Sequence, residues 1–472
     1  MPFLAFLSTA QGRIAFWDTG EMQTAPWIFG IPHPTGFPAF VIVAGIFAHL
    51  VPIGTVAWRI ALLCALLLTA CVTLVYATIV RITGDRLSAA CAGWLLAFGT
   101  FFWSYGDRAE IHTMAAFWAA LALYCAVRGY YEDRAGAFVA SAAACGMGLA
   151  THPVVLFLLP SLIVLALARV RAFSLRSAAA VLIAVLVPLL LYAYLPLRSH
   201  AIVAHHLDPA IALGKPPGAA IWNTDNPQSW PGFVRLVTGA DFSAARSVLH
   251  AADVPLYADK LHVFAWTMYR EFTPVGIIAG AIGFVILLRR RATLAASLLL
   301  AIALPSGFAL AYPPVVEIER YFFIPMIAFA LVIGFGMTAL SPEYRNLLRI
   351  PVGVAAIVLL VVSYGDAHLR SVNGAEELIA AVRETTPSNA IVVADWTRGT
   401  ALAYAAYVDR SLGDRRIDIS WLAQDRRYIR RWMNRYPVYY AGRPVLHRGL
   451  LLCPRSADYP IYAVRVVPGQ CN

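Results

Sequence analysis

Charge is what this chain of 472 residues has least of: 13% of its residues are charged, against 60% hydrophobic, with a mean hydropathy of +0.68. That little charge cannot cover a soluble globule of this size, so a soluble protein is excluded and a multi-span membrane protein is expected. Lysine is nearly missing, Lys215 and Lys260 being the only two, although the formal net charge is +11. The arginines that carry this charge stand in small groups between apolar runs rather than in one stripe, which speaks against a nucleic-acid partner. Cysteines number seven and show no zinc spacing, and no phosphate-binding P-loop, dinucleotide fingerprint or nucleophile elbow is present. Met1 to Ala10 lacks a basic stretch ahead of its apolar residues, so no cleavable signal peptide is expected. Repeats and low-complexity tracts are absent too.

What the chain does have is a series of long apolar runs. Spans are expected near 57–80, 87–105, 114–129, 136–151, 153–169, 178–196, 272–288, 293–312, 322–340 and 350–365. Arg81 and Arg86, Arg128 and Arg134, Arg169 with Arg171 and Arg176, Arg289 to Arg291, and Arg345 with Arg349 fall in alternate loops, which the positive-inside rule assigns to the cytoplasm. By the same parity 17–56, Asp107 to His112, Thr151-His152-Pro153, the long loop from Leu197 to about Glu271, Pro313 to Arg320 and everything past about Asp366 lie outside. Parity also requires a span from Met1 to Phe16, although its sixteen residues reach only about 24 Å of a core about 30 Å thick. Phe40 to Ile53, between Pro38 and Pro52, is then an interfacial or re-entrant helix.

The architecture expected is a polytopic α-helical bundle of about eleven spans over residues 1–365, followed by a small extracytoplasmic α/β domain over 366–472. In that domain Glu376–Thr385 is amphipathic, Ala390–Ala394 is a short apolar run, Thr400–Arg410 is helical in pattern, Ile417–Leu422 is strand-like, and Arg426–Tyr436 reads as a basic helix followed by Pro437-Val438-Tyr439-Tyr440; such alternation of strands and helices is the basis for the α/β expectation. Cys453 and Cys471 are its only cysteines, and an oxidising compartment would permit a bridge between them. The other five cysteines sit in apolar spans and read as small buried residues.

Polar chemistry collects on the outer face. Trp17-Asp18-Thr19-Gly20-Glu21 and Ile31-Pro32-His33-Pro34-Thr35-Gly36-Phe37-Pro38 form a first island, and Arg108, Glu110 and His112 a second. Ionisable groups beside membrane spans are costly unless solvated and used, so these are the first site candidates. Asp18 and Glu21, three residues apart, would share a helical face; the competing reading is an N-cap with Glu21 at N3, a capping-box-like arrangement. For Glu110 the competing reading is a salt bridge with Arg108, and for Arg320 an ion pair with Glu317 or Glu319. Trp103 and Tyr105 read as interfacial anchors. Trp222, Asp225, Trp230 and Asp241 give the long loop a content suited to sugar recognition.

These segments, with Ala109-Glu110-Ile111-His112-Thr113, Thr151-His152-Pro153, Leu195-Pro196-Leu197-Arg198-Ser199 and Glu319-Arg320-Tyr321, resemble one family. It is the protein O-mannosyltransferase-like membrane family of the GT-C glycosyltransferase superfamily, whose hallmark is Asp-Ser-Gly-Glu followed by His-Pro-Pro-Gly-Tyr-Pro. Thr19, Thr35 and Phe37 depart from that hallmark, and His112 stands where tyrosine is common. The resemblance implies a GT-C-like bundle and a polytopic transferase that moves a hexose such as mannose from a polyprenyl-phosphate carrier to a protein or glycan acceptor outside the cytoplasm. Asp18 is then the expected base, with Glu21 beside it; His33, Arg108, Glu110, His112 and His152 are expected at the substrates, and Arg198 and Arg320 at the lipid phosphate. The lack of a clear Asp-x-Asp leaves a divalent cation such as Mg or Mn open. The preference for arginine over lysine points to a GC-rich bacterial genome, hence a bacterial inner membrane. A lipid or sugar transporter is the competing class; it would place charge at mid-membrane in broken helices and often carries internal repeats.

Overall fold

A computed structural model describes residues 1–240, 254–311, 317–368, 374–420, 425–443, 450–466 and 471. Asp241, Pro313 to Val316 and the end of the strand expected to Leu422 lie outside them. The chain forms two compact units: Met1–Ala10, Ala61–Tyr192 and Asp241–Leu369 make one, and Gln11–Ile60, Ala193–Ala240 and Arg370–Asn472 make the other.

The first unit is helical. Among the described residues of the whole chain seven helices are long and apolar enough to cross a membrane, or eight if Arg86–Ala97 and Thr100–Gly106, bent by 64°, form one span. Ala135–Thr151 and Pro153–Leu167 are shorter apolar helices at two of the expected spans. Seven or eight of the roughly eleven expected spans are thus met by helices of full spanning length among the described residues, and the first span is a correction. Helix closes at Thr9, Ala10 is extended, and Gln11 to Phe16 are not helical. An eight-residue helix rises only about 12 Å.

A second correction concerns the long outer loop. Helix resumes at Val254 and runs to Arg290, broken at Thr273 with φ of 58° ahead of Pro274. Proline removes one helical hydrogen bond and disfavours helix in the residue before it, so the sequence pattern restarts at the break while the backbone on either side stays helical. Glu271 stabilises this region: its carboxylate accepts the Phe101 and Phe102 amides at 3.0 and 3.1 Å, closing the start of the Thr100–Gly106 helix. Further along, a Cβ on Gly336 would stand 2.2 Å from the Gly283 Cα, so these two glycines let the Val254–Arg290 and Phe323–Ala339 helices touch backbone to backbone.

The arginine loops gather as parity requires. Arg81 and Arg128 both reach Glu132, at 2.7 and 3.1 Å, Arg169 approaches Asp133 at 3.9 Å, and Arg345 and Arg349 pair with Asp85. Asp85 also caps the Arg86–Ala97 helix through the Ser88 amide.

The second unit holds the α/β fold. Its sheet has the order β2-β1-β3-β5-β4, from β1 (Ile391–Ala394), β2 (Arg416–Ile419), β3 (Val438–Ala441), β4 (Leu450–Pro454) and β5 (Ile461–Val466). Strand β1 runs parallel to β2 and β3, and β5 is antiparallel to β3 and β4. All four residues of β1 are buried, as a central parallel strand covered on both faces requires. Helices lie at Gly374–Thr385, Trp396–Tyr407 and Arg426–Met433. Cys453 and Cys471 form a disulfide, and Cys64, Cys71, Cys91, Cys125 and Cys145 are buried thiols.

The C-terminal segment does not stand alone in this unit. The Trp17–Ile28 helix packs on the Trp396–Tyr407 helix at Gly20, where a Cβ would lie 2.2 Å from the Ala15 carbonyl oxygen and 3.0 Å from the Thr400 hydroxyl. The 193–240 segment joins through Lys215, whose ammonium donates to Asp418 and Asp425 at 2.7 Å each, and through the Leu213 carbonyl, which accepts the Trp432 indole N–H at 2.7 Å. Burial raises the Asp418 carboxyl above its ordinary range although Lys215 works the other way. The Pro38–Leu50 helix is a shorter apolar helix of thirteen residues, about 20 Å long.

Candidate functional site

The first polar island is a helix followed by a tight turn. The Trp17–Ile28 helix begins after Phe16, which makes no side-chain capping bond, so Asp18 is not the N-cap but lies in the first turn. An acidic group there faces the positive end of the helix dipole. Asp18 is half-buried, and its Oδ1 accepts the Trp396 indole N–H at 3.0 Å. Trp396 opens the helix that follows β1, and Asp395 caps that helix through the Arg398 amide at 3.1 Å.

Glu21, one turn after Asp18, is fully buried and turned to another task. Its Oε1 accepts the His33 backbone N–H at 2.9 Å, and its Oε2 bonds the His33 Nδ1. The carboxylate thus fixes both the backbone and the ring of His33, which keeps 17% of its side chain exposed. The His33 ring meets Phe37 edge-on at 5.0 Å and Trp396 edge-on at 5.7 Å. One indole therefore touches Asp18 through its N–H and His33 through its ring. Sequence reasoning missed Trp396: it is 378 residues from Asp18, and no spacing joins the two.

Arg198 has a different place from the one expected at a lipid phosphate. Its Nε donates to the Phe29 carbonyl at 2.7 Å and its Nη2 to the Ile28 carbonyl at 2.9 Å, beside the Tyr194 hydroxyl on the same Phe29 oxygen. Phe29 is left-handed, with φ of 49°, and ends the Trp17–Ile28 helix. The guanidinium fork caps that helix by binding the carbonyls it leaves open. In the same unit Trp222 is buried, Asp225 pairs with Arg235 at 3.2 Å, and Trp230 is 74% exposed.

The second island lies in the helical unit and draws three separated loops together. Glu110 caps the Ile111–Glu132 helix through the His112 amide at 3.1 Å and also accepts the His112 ring at 2.7 Å. The Arg320 guanidinium stands 3.5 Å from it and 3.3 Å from Glu317. Arg108 pairs mainly with Glu317, at 2.8 Å, and reaches Glu110 at 3.9 Å. The Tyr105 hydroxyl donates to Glu319 at 3.3 Å, with Arg108 over its ring. His152 accepts the Val154 amide at its Nδ1, which caps the turn after Pro153, and its ring lies 4.4 Å from His112. Tyr321 packs against both histidine rings.

Burial opposes ionisation of Glu110, but Arg320, the His112 bond and Arg108 together outweigh it and hold the carboxyl well below its ordinary range. Asp107 goes the other way. It is buried and raised, with the Thr9 hydroxyl donating to one oxygen, and Thr9 in turn accepts the Trp103 indole N–H at 2.8 Å. Trp103 is thus wholly buried in the helical unit rather than an interfacial anchor; its polar end had a partner inside the protein. Among the described residues no group of three or more His, Cys, Asp or Glu side chains is placed to hold a metal ion.

Residues 18–175 match the family described as "Protein O-mannosyl-transferase TMEM260 N-terminal domain". Protein O-mannosyl-transferase TMEM260 of Mus musculus is 28% identical over 190 residues, covering 39% of this chain and 27% of the mouse protein. The Dictyostelium discoideum protein of that name is 26% identical over 159 residues, covering 30% of this chain and 19% of its own length. Both matches thus span less than a third of the curated relative. Among solved structures, ArnT from Cupriavidus metallidurans, crystallised with undecaprenyl phosphate, superposes with a TM-score of 0.62 at 13% identity, over 99% of this chain and 97% of its own. The chain is a multi-pass membrane protein of the GT-C fold, and over residues 18–175 it matches the protein O-mannosyltransferase-like family that its motifs resemble.

Proposed function

We propose that the protein is a membrane glycosyltransferase that moves a hexose, mannose by family likeness, from a polyprenyl-phosphate carrier to a hydroxyl of a protein or glycan acceptor on the extracytoplasmic face. The observation that carries this reading is the pair of carboxylates at the start of the family-matched segment: Asp18 half-exposed under an indole N–H, Glu21 buried and committed to His33. An inverting transfer has one bond to form and one to break. The acceptor oxygen attacks the anomeric carbon as its bond to the carrier phosphate opens, the acceptor proton passes to a carboxylate, and the phosphate leaves with the electron pair. Asp18 is the base in this scheme. His33, its ring held by Glu21 through Nδ1, would bond a sugar hydroxyl or the phosphate through Nε2.

Arg320 and Arg108 are the cations we assign to the leaving phosphate, with Glu110, His112 and His152 as the groups that orient them and the sugar. Arg198 is left out of this set because two of its donors already close a helix end. The expectation of a bacterial inner membrane rested on arginine usage alone, and the curated relatives come from mouse and Dictyostelium. We therefore assign the activity to an extracytoplasmic face, with no bacterial membrane implied.

The test is reconstituted protein given tritium-labelled polyprenyl-phosphate mannose and hydroxyl-bearing peptides or glycans, with and without a chelator. Transfer that disappears in Asp18→Asn, while insertion and expression stay normal, is the expected result; full transfer in that variant overturns the mechanism. Uptake of the labelled lipid or sugar into sealed vesicles, with no product formed, would mark a transporter instead.

A further inference from the structure

We infer that the Arg426–Met433 helix of the C-terminal segment is a docking surface for an acidic, extended stretch of the acceptor polypeptide. The inference rests on the reading of the protein as a transferase with a protein acceptor. The helix is anchored on one side only. Ile429 and Trp432 are buried against Ile391, Val393, Val438 and Tyr440 of the sheet, and the Trp432 indole N–H donates to the Leu213 carbonyl. The other face carries Arg426, Arg427, Arg430 and Arg431, with Arg435 one turn further, and all five are exposed.

Local electrostatics gives this face no reason to exist. Arg426 and Arg427 stand in the first turn, at the positive end of the helix dipole, with no acidic residue beside them there. Arg426 with Arg430, Arg427 with Arg431, and Arg431 with Arg435 are like charges four residues apart, an arrangement that repels. None of the five forms an ion pair among the described residues; Arg427 lies over the Tyr428 ring at 4.7 Å instead. The nearby acids are spent inward. Asp425 holds the N-cap position yet makes no capping bond, because it and Asp418 both take the buried Lys215 ammonium at 2.7 Å. A surface made for solubility mixes both signs, so five uncompensated guanidiniums on one short segment mark a face kept for a partner of opposite charge.

Spacing and position choose the partner. Residues four apart on a helix, as Arg427 and Arg431 are, rise by about 6 Å, and alternate side chains on one face of an extended peptide repeat every 6.6 Å or about that. Acidic side chains at alternate positions thus meet successive guanidiniums, each fork matching one carboxylate. A lipid headgroup is the poorer match. Ile391 and Val393 face the arginine helix, whereas Ile419, the register partner of Ala394, packs with Ala403 and Tyr407, so the Trp396–Tyr407 helix covers the opposite face of the sheet. That helix packs on Trp17–Ile28, which packs in turn on Pro38–Leu50 with its exposed apolar Leu50. A bilayer that took Leu50 would leave two helices and the sheet between itself and the arginines. Each such layer is about 10 Å deep, more than the about 8 Å over which charges act at physiological salt.

The test uses the full chain in phosphatidylcholine nanodiscs and a fluorescein-labelled peptide of alternating threonine and glutamate, with a control in which glutamine replaces glutamate. Binding read by fluorescence anisotropy needs neither donor lipid nor transfer. We expect the acidic peptide to bind about tenfold more tightly than the control, and added salt to shrink that preference. Arg427→Gln, Arg431→Gln and Arg435→Gln together should abolish the preference while the melting temperature stays level or rises, since like charges are removed. Arg431→Glu alone, the milder change, should cut it by roughly threefold. Equal binding of the two peptides, or an unchanged preference in these variants, overturns the inference. So does tighter binding of phosphatidylglycerol vesicles or of a polyuronate at equal charge, which would give the face to lipid or to an anionic glycan. In the transfer assay the KM of the acidic peptide should lie about tenfold below that of the control, and the gap should close in the triple variant with kcat and donor KM within about twofold. If the acidic peptide binds as expected but receives no sugar, the transferase reading fails while the docking surface stands, so the two failures are told apart.

Discussion

Asp18 and Glu110 are both acidic residues at the start of a helix, and their surroundings make them opposites. Glu110 is 2% exposed and receives an imidazole, a backbone amide and the approach of two guanidiniums. Asp18 keeps contact with solvent and receives a neutral indole N–H. A carboxylate held in a cluster of cations is a poor proton acceptor, since those cations are what depress its affinity for the proton. A carboxylate that keeps contact with solvent can be reached by a substrate. Position in a motif therefore does not assign the chemistry. Neighbours do: those of Glu110 bury it among cations, and Asp18 is the one of the two that we propose as the base.

Asp18→Asn separates the two most sharply. Transfer should fall by about a hundredfold to ten-thousandfold, the range for loss of a general base. Thermal stability should change by no more than about 0.5 kcal/mol, because the group is partly solvated. Calorimetry beside the radiolabel assay measures both, and a large stability loss would erase the contrast with Glu110.

Glu110→Gln should reverse that pattern. The change leaves Arg320 and His112 facing a neutral amide in a buried place, at a cost of about 3 kcal/mol. The pH response follows from the sign of the shift. Its folded-state carboxyl is depressed, so the stabilisation is complete above the ordinary glutamate value of 4.5 and is lost as pH falls below it. Melting curves at falling pH should show a decline in the native protein that is weaker in the variant. Identical declines would mean that the Glu110 pairs contribute nothing.

Much of this arrangement was legible in the sequence. Alternating arginines put Asp107–His112, Thr151–Pro153 and the stretch ending at Arg320 on one side, and the structure joins them through His112 with His152 and Arg108 with Glu317. Long-range partners were not legible. Trp396 lies at the end of a strand whose pattern speaks only of burial, and Arg198 has the fork of a phosphate ligand until the open carbonyls of Ile28 and Phe29 are seen beside it. Periodicity reports which face of an element is buried; it carries no information about the atom that a single polar tip will meet.

Glu21→Gln probes the link between the two carboxylates of the motif. Glutamine keeps one acceptor for the His33 amide but loses the charge that bonds the ring, at a cost of about 1–2 kcal/mol. Transfer should fall by roughly tenfold with it, as His33 loses its fixed orientation. An effect as large as that of Asp18→Asn would make Glu21 a second catalytic carboxylate rather than the holder of His33.

The smallest effect belongs to Arg198→Lys, and it decides between a helix cap and a phosphate ligand. A lysine keeps the charge but not the planar fork, so it cannot serve the Ile28 and Phe29 carbonyls together. One neutral-acceptor bond is lost, at about 1 kcal/mol or less of stability, while Tyr194 still donates to Phe29. Because the fork faces a helix end, the donor KM should stay within about twofold. A tenfold rise in donor KM at unchanged stability would return Arg198 to the lipid phosphate. It would also mean that the N–H groups the two carbonyls leave unused on the guanidinium meet the phosphate, since a guanidinium has five donors and the cap takes two.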